Sequence, residues 1–196
     1  SAAAADAPVL YIAGRNDRAA MYGLFAFLET LGCRFLPSQD IVPDANPALV
    51  VPRLDITGHT DCPWRAVWLQ FCFVGNSILS LRDYERFFDQ MAKMRMNRVI
   101  YYLFENEPFM DYSHAGERRL LGDVTHPDSA CMSLGRQDAG TFRVSDIITG
   151  REKFGREFVA PMEFQQARTS VEMLDTGRAF MQELIRLAST RGIGTW

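Results

Sequence analysis

Residues 66–73, AVWLQFCF, and residues 99–104, VIYYLF, are apolar runs of strand length, and SLRDYERFFDQMAKM (80–94) lies between them. Runs this short and continuous read as strands covered on both faces, the pattern of a parallel sheet. Ser80 with Asp83 three residues on is a capping-box-like start, Asp replacing the usual Glu. Leu81, Tyr84, Phe88 and Met91 recur at i, i+3, i+7 and i+10, with Phe87 and Met94 alongside. That spacing predicts an amphipathic helix ending near Met96. Trp64 and Trp68 flank the first run and read as core.

Downstream, residues 105–168 are polar, rich in Gly, Asp and Arg, and without a sustained period. A stretch of this length is uncommon unless it is functional or carries small elements of its own. Thr169 and Glu172 then form a capping box. Val171, Leu174, Met181, Leu184, Ile185 and Ala188 mark the buried face of a last helix, which stops at Gly192. Residues 193–196 begin a third strand, and the chain is read as part of a longer protein. Strand, helix, strand, long loop, helix, strand implies crossover connections and parallel pairing.

Upstream, 8–13 (PVLYIA) reads as a buried strand. Asn16 and Asp17 are candidate caps of a helix over 17–31 whose apolar face is Ala20, Leu24, Phe27, Leu28 and Leu31. Gly32 sits where a C′ glycine belongs. Residues 33–36 and 48–56 read as further strands, broken apart by Pro37, Pro43, Pro47 and Pro52. The two expected units are therefore 1–60, a small α+β domain, and 61–196, with a junction at His59-Thr-Asp-Cys-Pro63.

Composition narrows the function classes. The 196 residues are 47% hydrophobic, 12% aromatic and 23% charged, with a net charge of −3. That excludes a disordered chain. Lys and Arg number 21 against 24 Asp and Glu and form no basic block, so nucleic acid is not an expected partner. No apolar run is long enough to span a bilayer. Cys33, Cys62, Cys72 and Cys131 show no metal-ligand spacing, so no metal or other cofactor is expected. They are buried free thiols, or disulfides if the protein is exported. No phosphate-binding glycine loop and no Gly-x-Ser-x-Gly elbow is present.

Two ordered segments carry a family likeness. Arg18, Tyr22, Gly23, Leu31, Gly32, Arg34 and Phe35 match a pattern of a turn with Arg, a Tyr-Gly helix, then Leu-Gly-x-Arg and an aromatic. This resembles the small α+β domain that precedes the barrel in microbial α-glucuronidases and β-hexosaminidases. Pro63-Trp-Arg65, the apolar run after it, and Met91-Ala-Lys-Met-Arg-Met-Asn97 leading into the next run resemble the first strand and helix of those barrels. Arg191-Gly-Ile193 resembles the entry to the next strand. The resemblance implies an α/β chain: a small α+β domain followed by the first strands and helices of a truncated (β/α)8 (TIM) barrel. Residues 63–196 are too few for a whole barrel of about 250 residues.

It further implies a glycoside hydrolase acting on poly- or oligosaccharides, secreted or periplasmic, with its acid and base carboxylates beyond residue 196. A non-catalytic carbohydrate-binding or surface protein is the alternative. The arginine such hexosaminidases carry just after the first strand is absent from 70–74, which argues against an N-acetylhexosamine. Active sites of such barrels lie at the C-terminal ends of strands. Glu105, Asn106 and Glu107 follow the second run directly and are candidate contacts to sugar hydroxyls. Glu105 falls where the resemblance puts an acidic substrate contact. Tyr112 and His114 follow in the same loop and are the remaining candidates. Without those carboxylates the isolated chain is expected to be inactive, and an open piece of barrel leaves strand edges and apolar helix faces bare, so it is expected to self-associate.

Overall fold

A computed structural model describes residues 9–45, 50–70, 80–103, 109, 111–118, 130–133, 141–143 and 169–196. Among the described residues the helices are α1 (Asp17–Thr30), α2 (Leu81–Lys93) and α3 (Ser170–Ser189). The strands are β1 (Arg34–Phe35), β2 (Asp40–Ile41), β3 (Ala66–Gln70), β4 (Arg98–Tyr102), β5 (Ser113–His114), β6 (Glu117–Arg118), β7 (Ala130–Ser133), β8 (Thr141–Arg143) and β9 (Gly194–Thr195).

The centre is a parallel sheet in the order β3-β4-β9. Ala66 pairs with Arg98 and Arg98 with Gly194, and the register continues through Gln70 opposite Tyr102. The chain is thus mixed α/β, with parallel strands joined through helices. The expected third strand joins the same sheet as the first two.

Each helix begins where its sequence says. Asn16, Ser80 and Thr169 cap α1, α2 and α3, their side chains accepting from the amides of Ala19, Asp83 and Glu172. Each ends in a reversed turn. At α1, Cys33 N–H donates to Leu28 and Gly32 N–H to Glu29, with Gly32 at φ 98° as the C′ glycine. At α2 the same pair of bonds runs from Met96 to Met91 and from Arg95 to Ala92, but the left-handed residue is Arg95, at φ 61°. α3 turns at Gly192, φ 69°.

Helices α2 and α3 pack on one face of the sheet. Phe88, Val99, Leu174, Leu184 and Ile193 are fully buried there, and Val67, Leu69 and Tyr101 lean on the same cluster. Burying each contributes on the order of 1.5–3 kcal/mol before entropy. Tyr84 and Phe109 both meet the ring of Phe180, at 6.0 and 6.1 Å between centroids, which ties the segment after β4 to the helical layer.

The structure corrects several readings. Among the described residues, strands β3 and β4 are covered on one face only: Val67, Leu69 and Val99 turn inward, while Trp68 and Tyr102 are exposed. Both crossover helices lie on a single side of the sheet, so continuous hydrophobicity here does not mean two covered faces. Trp64 and Trp68 are consequently not core. Residues 9–13 and 50–56 form no strand, and Val9, Tyr11, Val50 and Ile56 are exposed. Of the α1 face, Leu24 is exposed and the buried residue is Tyr22; of the α3 face, Val171 and Ile185 are exposed. Cys62 is exposed and Cys33 half-buried, both as free thiols, so neither is a buried thiol.

The segment around α1 is fastened to the strand-entry end of the sheet by polar contacts. Tyr22 Oη donates to the carbonyl of Met96 at 2.8 Å, and Arg18 Nη1 to the carbonyl of Gly192 at 3.0 Å. Arg95 makes a two-point pair with Glu29 at 2.8 and 3.2 Å, and Lys93 pairs with Asp40. This explains why the buried face of α1 is not its apolar stripe.

Candidate functional site

Crossover helices run back against the parallel strands, so the N-termini of α2 and α3 lie towards the C-terminal ends of β3 and β4. Glu105, Asn106 and Glu107 directly follow that end, and all three lie outside the described residues.

Tyr112 and His114 are described. They belong to a small hairpin, β5–β6, in which Ser113 pairs with Arg118 and His114 with Glu117. Ala115 and Gly116 form its turn, both at positive φ, 50° and 86°, as a two-residue hairpin of this twist requires. Arg118 anchors it. Its guanidinium binds both oxygens of Asp111, at 2.9 and 3.0 Å, and Asp175 of α3 at 2.7 Å. Arg178, a turn further along α3, reaches Asp111 at 3.5 Å and Asp175 at 3.6 Å. Hydrogen bonding from Arg118 holds the Asp111 carboxyl below its ordinary range. Two carboxylates and two guanidiniums thus fix the hairpin to α3, leaving Tyr112 and His114 exposed. The structure places these two candidates on one ion-paired support. Their sequence signal was an aromatic and a histidine in a polar loop; the ion-paired ring had none.

The open face of the sheet carries a second group of side chains. Alternation along β3, β4 and β9 puts Ala66, Trp68, Arg98, Ile100, Tyr102, Gly194 and Trp196 on the side away from the helices. Trp68 and Tyr102 meet edge to face at 5.4 Å, and Trp64 and Trp196 do the same at 5.2 Å. The Arg98 guanidinium lies over both rings of the second pair, 4.6 Å from Trp64 and 5.2 Å from Trp196. Despite these contacts the rings are open to solvent: Trp64 is 59%, Trp68 60% and Trp196 63% exposed. The Nε of Arg98 is shielded from solvent and has no hydrogen-bond partner.

This group was missed in the sequence, where Trp64 and Trp68 were read as core. The usable signal was parity. Trp64, Trp68, Arg98, Tyr102 and Trp196 all fall on the alternate positions of three strands, and an arginine on that face is foreign to a doubly covered parallel sheet.

No group of three or more His, Cys, Asp or Glu placed to hold a metal ion occurs among the described residues. Among them, too, no helix is long and apolar enough to cross a membrane. No protein-family model matches the sequence, and neither a curated protein nor a solved structure matches the chain.

Proposed function

We propose that this chain is the opening part of a glycoside hydrolase, a small α+β domain followed by the first three strands of a (β/α)8 barrel that processes poly- or oligosaccharides. The observation that carries the reading is the sheet: parallel strands adjacent in chain order, β3-β4-β9, with both crossover helices on one side. Successive βα units of a barrel have this arrangement, with the other side turned to the barrel interior. A cluster of aromatic rings on that other side is in keeping with an interior still to be filled. On this reading Glu105, Asn106 and Glu107 sit at the catalytic end and contact sugar hydroxyls, and the rigid hairpin of Tyr112 and His114 borders the same end. Glu105 and Glu107 are too close in sequence to flank a glycosidic bond from opposite sides, a task that needs carboxyls about 5–9.5 Å apart. Glu105 and Glu107 are therefore not assigned as the acid and base pair. On this reading the protein is exported.

A non-catalytic carbohydrate-binding protein of the same architecture is the second reading, favoured by the solvent-exposed Trp68–Tyr102 ring pair. Hydrolysis of a panel of aryl glycosides, run beside calorimetric titration with oligosaccharides, tests both. The 196-residue chain is expected to show no turnover. Turnover abolished by Glu105→Gln would overturn the assignment of catalysis elsewhere. Saturable sugar binding lost on Trp68→Ala would support the second reading, and absence of sugar binding would count against it.

A further inference from the structure

Residues 50–56, VVPRLDI, join the segment around α1 to the parallel sheet, and their chemistry sets how that join can be handled. Between β2 and β3 no helix or strand occurs among the described residues. From 50 to 61 no main-chain group bonds to another described main-chain group. Every residue from 50 to 64 is exposed except Leu54, which is half-buried. The chain is pinned again only beyond this strap, where the Cys62 carbonyl accepts from Arg65 and the Pro63 carbonyl from Asn97, both at 2.7 Å. Pro52 has a fixed φ and no N–H to give to a ladder, and it excludes the helical region for Val51. The residues before Arg53 are thus held extended without a partner strand.

Arg53 stands apart from the other described arginines. Outside the helices and strands, Arg65, Arg95 and Arg191 are held by hydrogen bonds. That leaves Arg15 and Arg53. Arg15 is followed directly by Asn16, the cap of α1, and a Cβ on Gly14 before it would lie 2.2 Å from the Ala20 nitrogen. The chain around Arg15 therefore cannot be drawn out without unwinding α1. Around Arg53 nothing of the kind has to break. Endoproteases read a substrate as an extended strand, with main-chain bonds for affinity and pockets for side chains. Folded chains are nicked where such a segment is exposed and its main chain is unbonded.

We propose that the Arg53–Leu54 bond is a processing site for an arginine-specific serine endoprotease whose adjoining pocket takes proline, and that the cut leaves the α1 segment docked. Water is the one co-reactant: the amide breaks, Arg53 keeps a new carboxylate and Leu54 a new ammonium. Docking survives because the fastenings lie away from the strap. Tyr22 and Arg18 bind the carbonyls of Met96 and Gly192, Glu29 pairs with Arg95, and Gln90 donates to the Leu36 carbonyl at 2.9 Å. Cutting the strap removes the tether that keeps these contacts intramolecular, so docking becomes reversible and sensitive to salt. The inference rests on the strap alone, and stands whether or not the chain belongs to a sugar-processing enzyme.

The test uses the full 196-residue chain, with thrombin, which cuts after arginine and accepts proline before it, as the probe. The free peptide VVPRLDITG, residues 50–58, is the comparator. Because no structure has to open, kcat/KM for the folded chain is expected within about tenfold of that for the peptide. The new N-terminus should read Leu54-Asp55-Ile56. Arg53→Gln should abolish that product, and Arg15→Gln should leave its rate unchanged. Fragments 1–53 and 54–196 should elute together in gel filtration at low salt and apart in urea. A rate a hundredfold or more below that of the peptide, or a product beginning at Leu54 from the Arg53→Gln chain, would overturn the site. Separation of the fragments at low salt would overturn the docking. Failure here leaves the hydrolase reading standing, since that reading is tested by turnover.

Discussion

Replacing Asn97 with alanine should unfasten the start of the parallel sheet. Asn97 is 6% exposed and sits between the left-handed turn of Arg95 and the first residue of β4. Its Oδ1 accepts from the Arg65 amide at 2.9 Å and its Nδ2 donates to the Pro63 carbonyl at 2.7 Å. Its own backbone amide donates to Arg65, and its carbonyl accepts from Gly194, so one residue ties together the entries of β3, β4 and β9. Asn97→Ala leaves the backbone bonds and removes the two from the side chain. A buried group left without its partner costs about 1–3 kcal/mol. The Pro63 end is exposed and recovers water, so the expected loss is about 2–3 kcal/mol in all. With a urea m-value of about 2 kcal/mol per molar, the unfolding midpoint should fall by roughly 1 M at unchanged m. Asn97→Asp keeps the acceptor for Arg65 but turns a carboxylate oxygen on the Pro63 carbonyl. It should lose at least as much at pH 7 and recover part of it towards pH 4 as the carboxyl takes a proton. A midpoint shift below about 0.3 M for Asn97→Ala would refute the claim that this side chain holds the sheet entry.

Gly14→Ala should lower the melting temperature markedly, because the added Cβ would lie 2.2 Å from the Ala20 nitrogen, backbone that cannot step aside; an unchanged melting temperature refutes that packing. At Arg95, alanine loses the Glu29 pair and keeps the left-handed strain, whereas glycine loses the pair and relieves it, so Arg95→Gly should exceed Arg95→Ala in urea stability by about 1 kcal/mol. Burial raises the Tyr22 phenol above its ordinary value of 10.0, outweighing the opposing charges of Arg18 and Arg65. The unfolded chain then releases that proton first, so the phenol's contribution is complete below pH 10 and falls away above it. Tyr22→Phe should be less stable at pH 7, through the lost bond to Met96, and should show a shallower alkaline decline in a pH series of urea melts. Burial raises Tyr101 as well, and its share of the decline should persist in that variant.

Local signals in the sequence located the three helices closely. The caps at Asn16, Ser80 and Thr169 and the glycines at 32 and 192 act through a few neighbouring backbone groups, so four or five residues contain the whole cause. The parallel pairing was also legible, because strand runs separated by amphipathic helices leave no short antiparallel connection. What failed was the reading of sides. Parity groups Trp68 with Arg98 and Tyr102 but does not say which side is buried, and whether Trp68 faces core or solvent depends on where α2 and α3 both dock, a fact about two distant segments. The expected strands at 8–13 and 48–56 failed for a related reason: β-prone residues do not make a strand without an edge to pair with. Among the candidate site residues, the positions of Tyr112 and His114 could not be read from composition, since the support beneath them is an ion-paired ring joining Asp111 and Arg118 to Asp175 and Arg178, 57 residues or more along the chain from the hairpin.

The fastenings are unevenly distributed, and the unevenness bears on function. At the strand-entry end, α1 reaches the turns before β4 and β9 in the same way: Tyr22 binds the carbonyl of Met96, beside left-handed Arg95, and Arg18 binds the carbonyl of left-handed Gly192. Arg65 adds a bond to the Arg95 carbonyl at 2.6 Å and lies over the Tyr22 ring. Each of these bonds goes to a backbone carbonyl, so each fixes the path of the chain and leaves the identity of the accepting residue free. At the opposite end the described fastenings run between side chains, at the Asp111–Arg118–Asp175–Arg178 ring, and they hold a hairpin rather than the sheet. A sheet clamped at its entry end can tolerate change at its exit end. Substitutions at Tyr22, Arg65 and Asn97 should therefore register in unfolding, whereas substitution of the exposed His114 should leave unfolding unchanged and register only in what the protein binds or converts.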